Sequence, residues 1–180
     1  MTQDEQMVCD VLDGKVESFR GIIDRYQRPV LRVVFNMIND HHAAEDITQE
    51  VFMAVFNKLS TFDPMRCRFS TWMFTIARNK SINHLRSNRK TLSLDSQEFV
   101  SSSDPSEQIC NEEFFQQMDR ALSKLPKGQK RAFVLAEFEK LPYEEIAQVE
   151  CVSIGTIKSR VHRAKKKLRK ALAQVNGDKK

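Results

Sequence analysis

The sequence predicts an all-α protein of two small helical domains joined by a flexible linker, with a helix-turn-helix in the C-terminal domain. Apolar residues recur at helical spacing along most of the chain. Only 5 Gly and 5 Pro in 180 residues leave little material for turn-rich sheets, while 41% hydrophobic and 29% charged residues suit a soluble chain that can build a core. The charges fall in blocks of opposite sign, and the helical pattern lapses in the acidic block.

The first helical pattern runs through Phe19, Ile22, Ile23 and Tyr26, then Val30, Val33, Val34, Met37 and Ile38. Pro29 is expected near the join of two helices here or at a helix start. The next helix is better defined: Ile47, Val51, Val55 and Leu59 step by four, and Phe52 with Phe56 widen the same face. Asp46, Glu50, Met53 and Asn57 project oppositely and are left for a partner. Phe62, Asp63 and Pro64 break the pattern. A loop is expected to last until Ser70 or Thr71, either of which can cap a helix carrying Trp72, Met73, Ile76, Ala77, Ile82 and Leu85.

From about Thr91 to Gln108 the serines, acids and proline cannot bury enough apolar area to offset the entropy of ordering, so this stretch reads as a linker. A second helical group starts near Asn111 with Phe114, Phe115, Met118, Leu122 and Leu125, and Pro126 with Gly128 is expected to end its first helix. Arg131 to Glu139 forms the next element, with Ala132, Phe133, Leu135 and Ala136. Pro142 can serve as a first helical residue before Tyr143, Ile146 and Ala147, and Ser153 can cap a last helix running to about Val175. The expected domains are 15–91 and 111–175, with 92–110 between them.

The net charge of +5 matters less than its distribution. Between Asp63 and Asp95 stand Arg66, Arg68, Arg78, Lys80, Arg86, Arg89 and Lys90 and no acid. Between Lys90 and Arg120 stand seven acids and no base. Lys158, Arg160, Arg163, Lys165, Lys166, Lys167, Arg169 and Lys170 then crowd into the last helix without one carboxylate. Two basic surfaces flanking an acidic connector suggest two contacts with one polyanion.

Cys9, Cys67, Cys110 and Cys151 are scattered, which fits a reduced, cytoplasmic protein. His41 and His42 lack partner ligands nearby in sequence, so no metal site is assigned. No apolar run is long enough to span a bilayer, and the N-terminus is acidic where a signal peptide is basic, so no membrane insertion is expected. No nucleophile, base and oxyanion arrangement and no phosphate-cradling glycine loop is legible. Hence no catalytic residue and no cofactor are assigned, and an enzyme built on His41 and His42 is the weakest reading.

The stretch LPYEEIAQVECVSIGTIKSRVHRAKKKLRKAL has the length and spacing of a helix-turn-helix. Ile146, Ala147, Ile154, Ile157, Val161 and Leu168 are its expected buried stripe. Thr156, Lys158, Ser159, Arg160, His162, Arg163 and Lys166 are left outward or at the margins, where a helix in the major groove reaches base edges and phosphates.

IGTIKSRVHRAKKKL closely resembles the segment that closes extracytoplasmic-function sigma factors, and two earlier segments agree with it in the same order. AEDITQEVFMAVF resembles the helix by which these factors grip the clamp of RNA polymerase, and FSTWMFTIARNKSINHLR resembles the promoter-melting segment that follows it. The resemblance covers about Phe19 to Leu172.

It implies that Asp46, Gln49, Glu50 and Met53 face core RNA polymerase. It places Phe62, Trp72, Arg78, Asn79, Lys80 and Arg86 at the minus-ten element of promoter DNA, with Phe62 and Asn79 near a captured base and the cations on phosphates. Trp72 is read as packing more than stacking on a base. Lys158, Ser159, His162 and Arg163 are implied readers of the minus-thirty-five element, with Thr156 and Arg160 on the backbone. A dedicated anti-sigma factor is an implied partner.

The turn departs from the family pattern: Glu150 and Cys151 stand where an apolar residue and glycine are usual, and a left-handed non-glycine residue there costs roughly 1 kcal/mol or more. Asn83 likewise replaces a common acid. The alternative to a sigma factor is a helix-turn-helix transcriptional regulator that binds operators without joining polymerase.

Overall fold

A computed structural model describes residues 1–92, 118 and 120–177, and the side chains of 89–92 and 174–177 are not described. Every regular element among the described residues is helical. The expected connector 92–110 lies, Leu92 aside, outside the described residues, as do Phe114 and Phe115. The chain divides into two compact units, and each is described by itself.

The first unit opens with a helix absent from the expectation, α1 (Gln3–Leu12). Its start is chemically explicit. The Thr2 hydroxyl accepts the Glu5 N–H at 3.2 Å and the Glu5 carboxylate accepts the Thr2 N–H at 2.8 Å, so two otherwise orphaned donors are satisfied. Val8 and Val11 are its buried residues. Gly14, at φ 92°, turns the chain in a conformation that a side chain disfavours.

One helix, α2 (Ser18–Ile38), replaces the two expected around Pro29, which lies inside it. Proline there forfeits one backbone hydrogen bond, a cost of about 3 kcal/mol in a helix interior. A continuous buried stripe of Phe19, Ile22, Val30, Val33, Val34 and Met37 overrides it. Asn39 ends the helix in the left-handed region at φ 63°, its N–H donating to the Phe35 carbonyl at 2.8 Å.

Asp40 then caps α3 (His41–Lys58) by accepting the Ala43 N–H at 3.0 Å. Ile47, Val51, Phe52 and Val55 are buried as expected. Phe56 is the exception at 41% exposed, although its ring meets Phe19 edge-on at 5.0 Å. A 3₁₀ turn, Leu59–Thr61, leads into the loop.

Helix α4 (Phe69–Leu92) starts earlier than expected, because the Trp72 N–H already donates to the Arg68 carbonyl at 3.1 Å. Neither Ser70 nor Thr71 is its cap, and Thr71 is buried in its first turn. Helices α2, α3 and α4 pack pairwise around Ile22, Val30, Val34, Val51, Val55, Met73, Phe74 and Ala77.

The second unit holds α5 (Lys127–Phe133), the start of α6 (Tyr143–Glu150) and α7 (Ile154–Gly177). Its core joins Ala121, Leu122 and Leu125 to Ala164 and Leu168 of α7. Pro126 does mark a break, but Gly128 belongs to the helix that follows. A Cβ on Gly128 would stand 3.2 Å from the Arg160 guanidinium carbon, which explains why a helix-weakening residue sits there.

The element expected from Arg131 to Glu139 is the end of α5 continued by a π-helical turn, Val134–Phe138. Lys140 reverses the chain at φ 54°, and the Leu141 N–H reaches back to the Leu135 carbonyl at 3.0 Å. Pro142 precedes α6, its carbonyl taking the Ile146 N–H at 3.0 Å, so it caps the helix rather than opening it.

Candidate nucleic-acid interface

On α3, Asp46, Gln49, Glu50 and Met53 are all exposed. Their spacing of i, i+3, i+4 and i+7 makes them one stripe. Met53 is 66% exposed, a large apolar side chain held in water by a face whose other members are polar. The Glu50 carboxylate also accepts a hydrogen bond from Lys80 of α4 at 2.8 Å. That pair joins a residue implied for polymerase to one implied for DNA, but its partial exposure limits it to about 1 kcal/mol or less.

The loop into α4 is folded on itself. The Asp63 carboxylate accepts the Met65 N–H at 2.9 Å and pairs with Arg66 at 3.2 Å, leaving Met65 93% exposed at the tip. Phe62 and Trp72 are half-buried and their rings lie 5.6 Å apart, each also touching Phe69, at 5.4 and 5.8 Å. Both therefore have packing partners and an accessible side.

Trp72, Asn79 and Arg86 follow at intervals of seven, about two helical turns, so they share one face of α4. Asn79 and Arg86 are exposed. The Asn79 side-chain oxygen accepts from the Arg78 guanidinium at 3.3 Å. Lys80 lies apart from this row, turned to Glu50, in a shallow depression that also takes in Ile47, Asn83, His84 and Ser87.

In the second unit Ser153 caps α7 as expected, its hydroxyl oxygen accepting the Thr156 N–H at 3.3 Å. That amide is thus already engaged. The Thr156 and Ser153 hydroxyls meet at 2.9 Å, and the Ser159 hydroxyl donates to the Thr156 carbonyl at 3.0 Å. Lys158, Ser159, His162 and Arg163 are exposed together, at spacings that bring 158 beside 162 and 159 beside 163.

Arg160 departs from this group. It is half-buried, with its guanidinium against Gly128 of α5. The buried stripe is Ile146, Ala147, Ile157, Val161, Ala164 and Leu168. Ile154 is 39% exposed instead, because the first residue of α7 precedes the turn that packs on the core, and Ala164 completes the stripe. At the turn Cys151 adopts φ 53°, the left-handed conformation that the sequence comparison with glycine raises.

Two features escaped sequence reasoning. His162, Lys165, Lys166 and Arg169 line a shallow groove along α7. Within it Lys165 donates to Glu137 at 2.8 Å, and that hydrogen bond holds its ammonium above the usual lysine range. Charge density alone pointed to the groove, whereas Glu137 lies 28 residues away and gave no local signal.

The α-only architecture, the helix-turn-helix and the exposed basic row define a helical nucleic-acid-binding protein of two units. Residues 22–91 match Sigma-70 region 2 and residues 115–168 match Sigma-70, region 4. The chain is 30% identical to the RNA polymerase sigma-H factor of Pseudomonas aeruginosa, over 94% of each protein. It is 30% identical to the ECF RNA polymerase sigma-E factor of Escherichia coli over 90% of each, and 28% identical to the ECF RNA polymerase sigma factor SigW of Bacillus subtilis over 95% of this chain and 97% of that one.

Among solved structures it resembles the sigma factor RpoE of Bartonella quintana, crystallised with the anti-sigma factor NepR. The TM-score is 0.77 at 26% identity, over 87% of this chain and 98% of that one. The fold also matches CnrH, solved in complex with the cytosolic domain of CnrY, at a TM-score of 0.69 and 21% identity over 95% of this chain and 97% of that one. The chain belongs to the extracytoplasmic-function sigma factors of the sigma-70 family. Sigma factors are non-enzymatic initiation factors, and an operator-binding regulator independent of polymerase is not favoured. No described helix is long and apolar enough to cross a membrane.

Proposed function

We propose that this sigma factor docks on core RNA polymerase through the α3 stripe of Asp46, Gln49, Glu50 and Met53, and reads a promoter at two places. The expected domains, 15–91 and 111–175, divide that work. Phe62 and Asn79 hold an unstacked minus-ten base, with Trp72 backing Phe62. Capturing the base in a protein pocket recovers part of the few kcal/mol needed to take it out of the duplex. Arg78, Lys80 and Arg86 contact phosphates and set position.

Lys158, Ser159, His162 and Arg163 read base edges of the minus-thirty-five element, while Thr156 and Arg160 serve the backbone contact of α7. Arg160 does so chiefly by seating α7 against Gly128. Each unit alone binds DNA weakly, and polymerase raises the effective concentration of the second contact once the first is made. The protein itself catalyses nothing, works in the cytoplasm with polymerase, and is held inactive by an anti-sigma factor, as RpoE is found with NepR. The observation that carries this reading is the exposure together of Asp46, Gln49, Glu50 and Met53 on α3, of Asn79 and Arg86 on α4, and of Lys158, Ser159, His162 and Arg163 on α7.

Reconstituted transcription tests it. Core polymerase with this chain should start RNA at a defined site. Asn79→Ala should impair opening while leaving minus-thirty-five binding intact, and Arg163→Ala should do the reverse. Initiation unaffected by both substitutions contradicts the assignment.

A further inference from the structure

Helix α1 lies outside every segment assigned above, yet it is tied to the loop that reads the minus-ten element. Asp4 makes the connection. Its carboxylate accepts a hydrogen bond from the Tyr26 hydroxyl at 2.6 Å and a second bond from Arg25, whose guanidinium also binds Gln3. The Tyr26 ring meets Phe69 at 5.9 Å and Phe74 at 6.5 Å, and Phe69 is the ring against which both Phe62 and Trp72 rest.

Two further contacts seat the helix. Gly21 of α2 lets α1 approach, since a Cβ there would stand 2.9 Å from the Met7 sulfur, and α1 also packs on the 3₁₀ turn Leu59–Thr61 that launches the loop. The loop is therefore held at its start by α1 directly and at its end by the relay of Asp4, Tyr26 and Phe69, the first residue of α4.

We infer that α1 is a brace for base capture: Asp4 and Tyr26 are positioning residues that set the orientation of Phe69, and through it the accessible sides of Phe62 and Trp72. Neither residue need touch DNA. The relay orients rings that would otherwise rotate, because edge-on aromatic contacts prefer particular geometries but tolerate others at little cost. Burial and the Asp4 carboxylate both hold the Tyr26 phenol in its protonated form, so the donor to Asp4 persists at any pH where polymerase works. This inference rests on the reading of the loop as the minus-ten contact, and the experiment separates the two.

Holoenzyme assembled from core polymerase and the full chain is titrated with a single-stranded oligonucleotide. The probe is the minus-ten strand of a promoter selected from random duplexes by the wild-type holoenzyme. Tyr26→Phe, which keeps the ring and removes the hydroxyl, should weaken this binding about 3- to 10-fold, the range for loss of one hydrogen bond to a charged group partly compensated by packing. Asp4→Asn should weaken it less, because an amide oxygen still accepts. Affinity for core polymerase and for a duplex minus-thirty-five element should stay as in the wild type. Trp72, the one tryptophan of the chain, should show a shifted emission in both variants.

Unchanged oligonucleotide binding by Tyr26→Phe overturns the inference. So does an equal loss of all three affinities, which marks a folding defect. Phe62→Ala is run in parallel. If it weakens the oligonucleotide and Tyr26→Phe does not, the brace alone is wrong; if Phe62→Ala has no effect either, the loop assignment fails and the brace falls with it.

Discussion

In the first unit the aromatic residues proposed for the minus-ten contact, Phe62 and Trp72, belong to a run of ring contacts reaching through Phe69 and Tyr26 to the fully buried Phe74. In the second unit Lys158, Ser159, His162 and Arg163 stand clear of a core made by Leu122, Leu125, Ala164 and Leu168 on the opposite side of α7. Core and proposed reading surface are continuous in one case and separate in the other. The physical tasks differ in the same way. Holding an unstacked base needs a rigid apolar surface, whereas reading paired bases in a groove needs polar tips that water can also reach. Substitutions should therefore couple stability to function in the first unit and uncouple them in the second.

The sharpest way to break this contrast is Phe74→Ala. Removal of so large a buried side chain should destabilise the first unit by about 3–5 kcal/mol, seen by urea unfolding followed through Trp72 emission. It should also impair promoter opening at temperatures where the chain is still folded. A loss of stability without loss of opening would show that the ring contacts do not reach the reading surface.

On the other side, Arg163→Ala should cost about 1–3 kcal/mol of discrimination at the minus-thirty-five element and leave thermal unfolding within a few tenths of a kcal/mol of wild type. Binding titrations on matched and mismatched duplexes, beside calorimetry of the free chain, measure both. A clear drop in stability would mean that the exposed row is part of the fold after all.

Cys151→Gly sharpens the comparison within the second unit. At φ 53° the left-handed conformation disfavours a Cβ, so glycine should stabilise the helix-turn-helix by up to about 1 kcal/mol without altering DNA preference. Thermal unfolding followed by helical circular dichroism reads the gain.

The smallest effect is alkaline. Tyr26, facing Asp4, Arg25 and Ser70, has its phenol raised above its ordinary value of about 10, first by burial and then by Asp4. The folded state thus keeps a proton that the unfolded chain releases. That stability is fully present below pH of about 10 and is lost as pH rises through the folded value. Tyr26→Phe should flatten this decline in the first unit, while the second unit's response to pH should stay the same.

Much of the fold was legible because it repeats locally. The steps of four from Ile47 to Val55 gave α3 and its outward stripe, and Ser153 ahead of Thr156 gave the start of α7. Other positions misled for equally local reasons. Pro29 read as a boundary because propensity counts its missing donor but not the stripe it interrupts. Gly128 read as a terminator because nothing near it in sequence announces Arg160. The capping box of Thr2 and Glu5 was readable, but α1 has few apolar residues to give it a periodic signal.

By itself, then, the sequence determined the helical class, the two-part layout of charge, the exposed stripes and the family, since each depends on residue type at a spacing of a few positions. Tertiary structure alone decided that Arg160 leaves its neighbours for α5, that Lys80 and Lys165 are held by Glu50 and Glu137, and that Asp4 reaches Phe69 at the end of the loop through Tyr26. The physical reason is range. Helical periodicity is set by backbone geometry within one turn, whereas these contacts join residues whose partners are chosen only when helices distant in sequence pack side by side.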